Sequence, residues 1–132
     1  IAKMATDIML KNEDGGSIIN IASILAERVG LNLASYASAK AALVQLTKSM
    51  ALELARSNIR VNALAPGYIL TEINQDFFDT EEGQEYISKI PMKRLGLESE
   101  LDGALLLLAS DASSFMTGSV ITVDGGHVIN PL

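Results

Sequence analysis

The sequence predicts an α/β fold organised on a parallel sheet, and three observations carry that prediction. Two runs, Ser17 to Ile24 and Ile59 to Ala65, are apolar and largely β-branched without polar–apolar alternation, as expected of strands buried on both faces. A third β-branched run, Ser119 to Asp124, lies near the end of the chain. The stretches between the strands hold helical patterns long enough to be crossovers, which implies right-handed βαβ units.

The elements follow in order. Ile1, Met4, Ala5, Ile8 and Met9 recur at helical spacing, and Ile1 to Lys11 reads as a helix without an opening cap. With Ile1 in place of an initiator methionine, the chain is expected to be the later part of a longer protein. Asn12 to Gly16 is a polar turn leading into the first strand. Ala34 to Arg56 is the clearest helix. Leu43, Leu46, Met50 and Leu54 form one stripe along it, and Ala37, Ala41, Val44, Ala51 and Ala55 form a second, small-residue surface. A helix apolar over that much of its circumference needs two burial partners, the sheet and either a neighbouring helix or another subunit. Ser57-Asn58 ends it, and Pro66-Gly67 stops the second strand. Thr71 to Pro91 mixes charged and aromatic residues, a pattern of short surface helices that wall a substrate pocket. Ser99 to Ser110 is a further helix, and Gly125-Gly126 closes the last strand. Three strands leave a sheet edge unpaired. The expected fold class is therefore α/β, the C-terminal half of a doubly wound parallel-sheet domain spanning 1–132, with an N-terminal half supplying the partner strands.

Composition limits the function. The chain has 132 residues, enough for one domain, and 48% of them are apolar. A net charge of -6 and no cluster of Lys and Arg argue against a nucleic-acid surface. No cysteine and one histidine leave little for a metal site, and the cysteine-free chain fits a reducing, cytoplasmic setting. The apolar runs are too short to span a membrane.

The candidate chemistry lies between Ser17 and Lys40. Ser23 ends the first apolar run, and Tyr36 and Lys40 stand four residues apart, on one face of the long helix. A hydroxyl, a phenol and an ammonium are the parts of a proton-transfer site. Taken singly, each has an ordinary structural reading: a strand-end serine bonded to backbone, a surface helix pair, a turn at Pro66-Gly67.

Taken jointly, they form a pattern. Asn20-Ile-Ala-Ser23, Tyr36-Ala-Ser-Ala-Lys40, Asn58 to Gly67, and Thr117-Gly118 followed by Asp124-Gly125-Gly126 occur in that order across the chain, with Ser23 thirteen residues before Tyr36. This pattern resembles the short-chain dehydrogenase/reductase family, whose fold is Rossmann-like. The resemblance implies an NAD- or NADP-dependent interconversion of an alcohol and a ketone. Tyr36 would be the proton donor or acceptor, and Ser23 would polarise the carbonyl. Lys40 would bind the nicotinamide ribose and lower the phenol pKa. A drop from about 10 to about 7 needs roughly 4 kcal/mol, which a cation about 4 Å away supplies at an effective dielectric near 20. Pro66, Gly67, Ile69 and Thr71 would form the loop under the nicotinamide, with the Ile69 backbone and the Thr71 hydroxyl toward the carboxamide.

The resemblance further implies a small-molecule carbonyl or alcohol substrate, of the 3-oxoacyl thioester or the sugar and polyol type, and a homotetramer with Ile1 to Lys11 and Ala34 to Arg56 at an interface. An epimerase or dehydratase that recycles its cofactor, and a non-enzymatic cofactor-binding module, stay open as alternatives. The Gly-rich phosphate turn of the family is absent here, since no Gly-x-Gly occurs. The fragment alone is therefore expected to bind a dinucleotide poorly. Asp124-Gly125-Gly126 reads as a structural turn, Arg94-Leu-Gly96 as a loop anchor, and His127 has no assigned role.

Overall fold

The structure, a computed structural model, describes residues 2–12 and 14–130; Ile1 and Glu13, included in the helix and turn expected at the start, lie outside them. Three strands, β1 (Gly16–Ile21), β2 (Ile59–Pro66) and β3 (Val120–Val123), form one parallel sheet in the order β1-β2-β3. Gly16 pairs with Ile59 and Ile21 with Leu64 at one junction, and Ala63 with Val120 at the other. The helices are α1 (Ala2–Met9), α2 (Ala34–Leu54), α3 (Gln75–Phe78), α4 (Glu81–Ser88) and α5 (Asp102–Ala109). The predicted parallel α/β architecture is observed.

The central strand β2 is the core, with Ile59, Val61, Asn62, Ala63, Leu64 and Ala65 all buried. The helix α2 lies on it through two apolar clusters. Ile18, Ala51, Ile59 and Val61 form one, joined by Met9, Met50 and Leu54. Ala22, Ala63 and Ala65 form the other, joined by Val44 and Val120. The stripes expected on α2 are corrected by this packing. The face toward the sheet mixes members of both, while Leu46, Ala41 and Ala55 are exposed, and the fully buried centre is a polar residue, Thr47. An alanine-lined sheet admits a helix closely without large side chains between them, which hydrophobicity patterns do not reveal.

The first strand ends at Ile21, earlier than the apolar run suggests. Ser23 is extended, and its hydroxyl accepts the Leu25 N–H at 3.1 Å, starting a 3-10 turn over Ile24–Ala26. A side-chain bond to the backbone here displaces ladder pairing. The end of α2 likewise tightens into a 3-10 turn at Ala55–Ser57, closed by Asn58 at φ 55°.

Two polar residues of β2, Asn62 and the partly exposed Arg60, join the layers. Asn62, fully buried in β2, donates to the Met116 carbonyl at 2.8 Å and accepts the Ser119 N–H at 3.0 Å, fixing the turn that enters β3. Arg60 donates to the Leu108 and Ser110 carbonyls and to the Ser113 hydroxyl, capping the C-terminal end of α5. Among the described residues, no helix is long and apolar enough to cross a membrane.

Candidate active site

A parallel sheet ends all its strands on one side, so the chain leaving β1 and the chain leaving β2 emerge as neighbours. The Ile21–Leu64 pairing puts Ser23 beside the Pro66-Gly67 turn. The following helix α2 returns from that same end, carrying Tyr36 and Lys40 in its first two turns. The three elements enclose a cavity of about 260 Å³ lined by Ser23, Leu25, Leu33, Tyr36, Gly67 and Tyr68, together with Ile24.

Ser23 is buried and Tyr36 is 45% exposed, so the serine lies deep and the phenol stands open toward solvent. The Ser23 oxygen already accepts one N–H, which leaves its proton free to point elsewhere. The Lys40 ammonium donates to the Ile21 carbonyl at 2.8 Å and lies 5.5 Å from the Tyr36 ring centroid. With three donors, it keeps two beyond that bond.

Gly67 serves a packing role. A Cβ there would stand 2.7 Å from both the Cα and the Cβ of Asp124, so the turn after β2 and the end of β3 touch through backbone. The carboxylate of Asp124 accepts the Gly126 and Val128 N–H groups at 2.8 and 2.6 Å, holding the turn that follows.

Ile69 and Thr71 are not brought into the cavity of Ser23 and Tyr36. Ile69 lines a separate cavity of about 180 Å³ with Tyr68, Met92, Arg94 and Asp124, among others. Thr71 lines an open one of about 450 Å³ with Leu70, Glu72, Ile73, Gln75 and Glu98. Ile69 bridges Gly96 in parallel, through Leu70 N–H to the Gly96 carbonyl and Gly96 N–H to the Tyr68 carbonyl. The Ile69 amide groups therefore face the other way. There the Asn74 side chain donates to the Ile69 carbonyl at 2.8 Å and accepts the Thr71 N–H at 2.9 Å. Arg94 anchors the adjoining loop through a bidentate pair with Glu100, at 2.7 Å for each bond. That pair, with the Leu97 N–H, holds the Glu100 carboxyl down to about 2.

Tyr68 was not legible as a site residue. It follows Pro66-Gly67 directly and packs edge-on against Phe78 and Tyr86, and at a tilt against His127, with centroids 5.7, 5.9 and 5.2 Å away. Phe78 and Tyr86, in the Thr71 to Pro91 segment expected to wall the pocket, thus back the surface that Tyr68 presents, and Phe77 packs edge-on against both of them. Burial, then the neighbouring Tyr86, push the Tyr68 phenol up. Burial, then the Arg28 cation, push His127 down. The Arg28 side chain also donates to the His127 carbonyl, tying the loop after Ser23 to the C-terminal turn. No group of three or more potential metal ligands occurs among the described residues.

A doubly wound α/β protein with its polar side chains gathered beyond the carboxyl ends of its strands is the class that this fold and cavity define. The chain belongs to the short-chain dehydrogenase/reductase family: residues 1–128 match the family model described as enoyl-(acyl carrier protein) reductase, and relatives across that family align with it. It is 42% identical over 118 residues to the 2-dehydro-3-deoxy-D-gluconate 5-dehydrogenase of Dickeya dadantii, covering 89% of this chain and 47% of that protein. It is 40% identical over 128 residues to the 7alpha-hydroxysteroid dehydrogenase of Escherichia coli, covering 97% of this chain and 50% of that protein. The solved gluconate 5-dehydrogenase of Burkholderia cenocepacia, in complex with NADP and tartrate, superimposes with a TM-score of 0.91 at 38% identity, covering 97% of this chain and 50% of that one. The chain thus spans about half the length of the curated relatives it matches.

Proposed function

We propose that this chain is the C-terminal, catalytic part of a single Rossmann-like domain whose Gly-rich cofactor-binding half lies outside it. The whole protein is an NAD- or NADP-dependent oxidoreductase interconverting an alcohol and a ketone. The observation that carries this reading is the single cavity shared by Ser23 and Tyr36, with Lys40 one helical turn from the phenol. Relatives named as dehydrogenases support the reaction class, and a relative solved with NADP supports the cofactor.

The residues present fit the nicotinamide end of such a cofactor. Lys40 keeps two ammonium donors for ribose hydroxyls beyond its bond to Ile21. The Ile69 N–H points away from Gly96 while its carbonyl accepts the Asn74 amide. In this reading the Ile69 backbone and the Thr71 hydroxyl face the carboxamide, with Pro66 and Gly67 forming the adjoining turn. When bound, the cofactor supplies or accepts the hydride at the carbonyl carbon. Tyr36 gives the proton to the carbonyl oxygen, or takes it from the alcohol in the oxidising direction. Ser23 donates its hydroxyl proton to that oxygen, where negative charge develops. Lys40 stabilises the phenolate form of Tyr36 by its charge.

The substrate is a small carbonyl or alcohol compound, with Tyr68, Leu25 and Leu33 as its apolar walls. A cytoplasmic homotetramer is the assembly proposed, with α1 and α2 packing against other subunits. Met4 and Ile8 on α1, and Leu46 and Leu52 on α2, are exposed large side chains that such contacts would cover.

The test is oxidation of NADH and of NADPH by the full-length protein over a panel of ketones and aldehydes, beside Tyr36→Phe. Turnover in the wild type with a loss of about a hundredfold or more in the variant is expected. Equal turnover in the two would remove Tyr36 from the role of acid.

A further inference from the structure

Two apolar clusters hold α2 on the sheet, and Thr47 stands between them in sequence, after Val44 and before Met50 and Ala51. Its hydroxyl is fully buried, donates to the Leu43 carbonyl at 2.8 Å, and accepts the Asn20 side-chain amide at 2.9 Å. The donor of Thr47 is satisfied within its own helix, so the bond from Asn20 is not needed to rescue a buried hydroxyl. That bond joins two elements: β1, which leads to Ser23, and α2, which carries Tyr36 and Lys40. Tyr36, Lys40, Val44 and Thr47 recur at intervals of four, four and three residues, so they share the face of α2 that meets the sheet.

We propose that Thr47 and Asn20 are a positioning pair that sets the rotation and slide of α2 against β1, and so the separation of Tyr36 from Ser23. The inference rests on the reading of Ser23, Tyr36 and Lys40 given above. Its physical basis is the kind of packing on either side. Ala22, Ala63 and Ala65 offer α2 a nearly flat surface, and contacts on such a surface are non-directional. A buried hydrogen bond is directional, and specifying register is the best-attested use of buried polar groups. The Lys40 bond to Ile21 is a second tie, two helical turns nearer the site, but the ammonium ends a flexible stem and can follow a rotating helix. Thr47, stiff at χ1, cannot. A rotation of about 10° displaces a group roughly 6 Å from the helix axis by about 1 Å. A misplacement of that size at reacting groups costs up to about a hundredfold in rate.

The experiment compares Thr47→Val, Thr47→Ser, Asn20→Ala and Thr47→Val/Asn20→Ala with wild type and Tyr36→Phe in the full-length protein. Steady-state kinetics, the pH profile of kcat, and NADPH or NADH affinity by fluorescence titration are measured on each. The expected result for Thr47→Val is a kcat about tenfold lower or worse with cofactor Kd within about twofold, and a displaced pH profile. Thr47→Ser, which restores the hydroxyl, recovers most of the rate, and the double variant is no worse than the poorer single one. Should Thr47→Val not fold, Asn20→Ala removes the same bond from the strand side. Folded Thr47→Val or Asn20→Ala protein with wild-type kcat and pH profile, whatever its melting temperature, overturns the proposal. So does Thr47→Ser as slow as Thr47→Val. If Tyr36→Phe turns over like wild type, or wild type shows no turnover, the underlying assignment falls and the positioning role with it. If Tyr36→Phe is inactive and Thr47→Val is normal, only the positioning role falls.

Discussion

The Lys40 ammonium and the Ile21 carbonyl meet at 2.8 Å, tying the first turns of α2 to the end of β1. The bond sets the cation on the side of α2 that faces the sheet, one turn from Tyr36, with its ring centroid 5.5 Å away. It converts a helical i, i+4 pair into part of a tertiary site.

Replacing Lys40 separates its two contributions. Lys40→Met should lower kcat by about a hundredfold or more, because both the charge and the ribose donors are lost. Lys40→Arg keeps the charge but replaces a compact ammonium by a planar fork, so cofactor affinity should remain poor. Parallel titrations of cofactor binding and kcat would read both effects; Lys40→Arg with wild-type values in both would contradict the argument.

Gly67→Ala should destabilise the fold by about 1–3 kcal/mol, the usual cost of overpacking. The added Cβ meets Asp124 at 2.7 Å, and its neighbours there include backbone that cannot simply rotate away. Urea unfolding of variant and wild type measures the difference. A midpoint unchanged by the substitution would mean that the two strand ends separate freely.

Arg60→Ala should cost about 2–3 kcal/mol. It removes charged hydrogen bonds to two carbonyls at the end of α5 and to the buried Ser113 hydroxyl. Hydrogen exchange should locate the loss at 102–114 rather than along α2. Uniform loss of protection throughout the chain would argue against a local cap.

His127 predicts a pH dependence. Burial and the Arg28 cation disfavour its charged form, and its Nδ1 is buried without a hydrogen-bond partner among the described residues. The folded-state pKa therefore lies below the ordinary value of about 6.5. As pH falls through that value the unfolded chain takes up the proton first, so its contribution to stability, complete above 6.5, is lost on acidification. Thermal unfolding from pH 8 to 5 should show this decline, and His127→Phe, which cannot titrate, should flatten it. Identical profiles for the two proteins would exclude His127 as the source.

Much of the fold was legible because parallel strands are buried on both faces and read as unbroken apolar runs. Ser17 to Ile24 announced a strand but not its end. The chain leaves the sheet just after the Ala22 N–H bonds to the Leu64 carbonyl, where the Ser23 hydroxyl accepts the Leu25 N–H. The faces of α2 escape a sequence pattern for a related reason. Small residues allow a close approach without a hydrophobic signal, and a buried threonine looks polar in any sequence pattern. Leu46 and Ala41, both apolar by type, point away from the sheet.

Within the site, Ser23, Tyr36 and Gly67 could be singled out because their chemistry and spacing are local properties of the chain, and they do share a cavity. Tyr68 could not, since a tyrosine after a turn gains its role only from the aromatic side chains that α3 and α4 bring behind it. Ile69 and Thr71 enter the site by resemblance to the family's loop; the structure lines other cavities with them, and Asn74 bonds the Ile69 carbonyl and the Thr71 N–H.

By itself the sequence determined the strand and helix order, the one face shared by Tyr36 and Lys40, and the serine at the end of an apolar run. Those follow from periodicities of two and 3.6 residues and from side-chain chemistry, which need no tertiary information. Only the tertiary structure decided which groups converge. The parallel pairing of Ile21 with Leu64 places the ends of β1 and β2 side by side, and the bonds from Asn20 to Thr47 and from Lys40 to Ile21 set α2 against them. Convergence depends on register and helix rotation, and both are fixed by contacts between residues far apart in the chain.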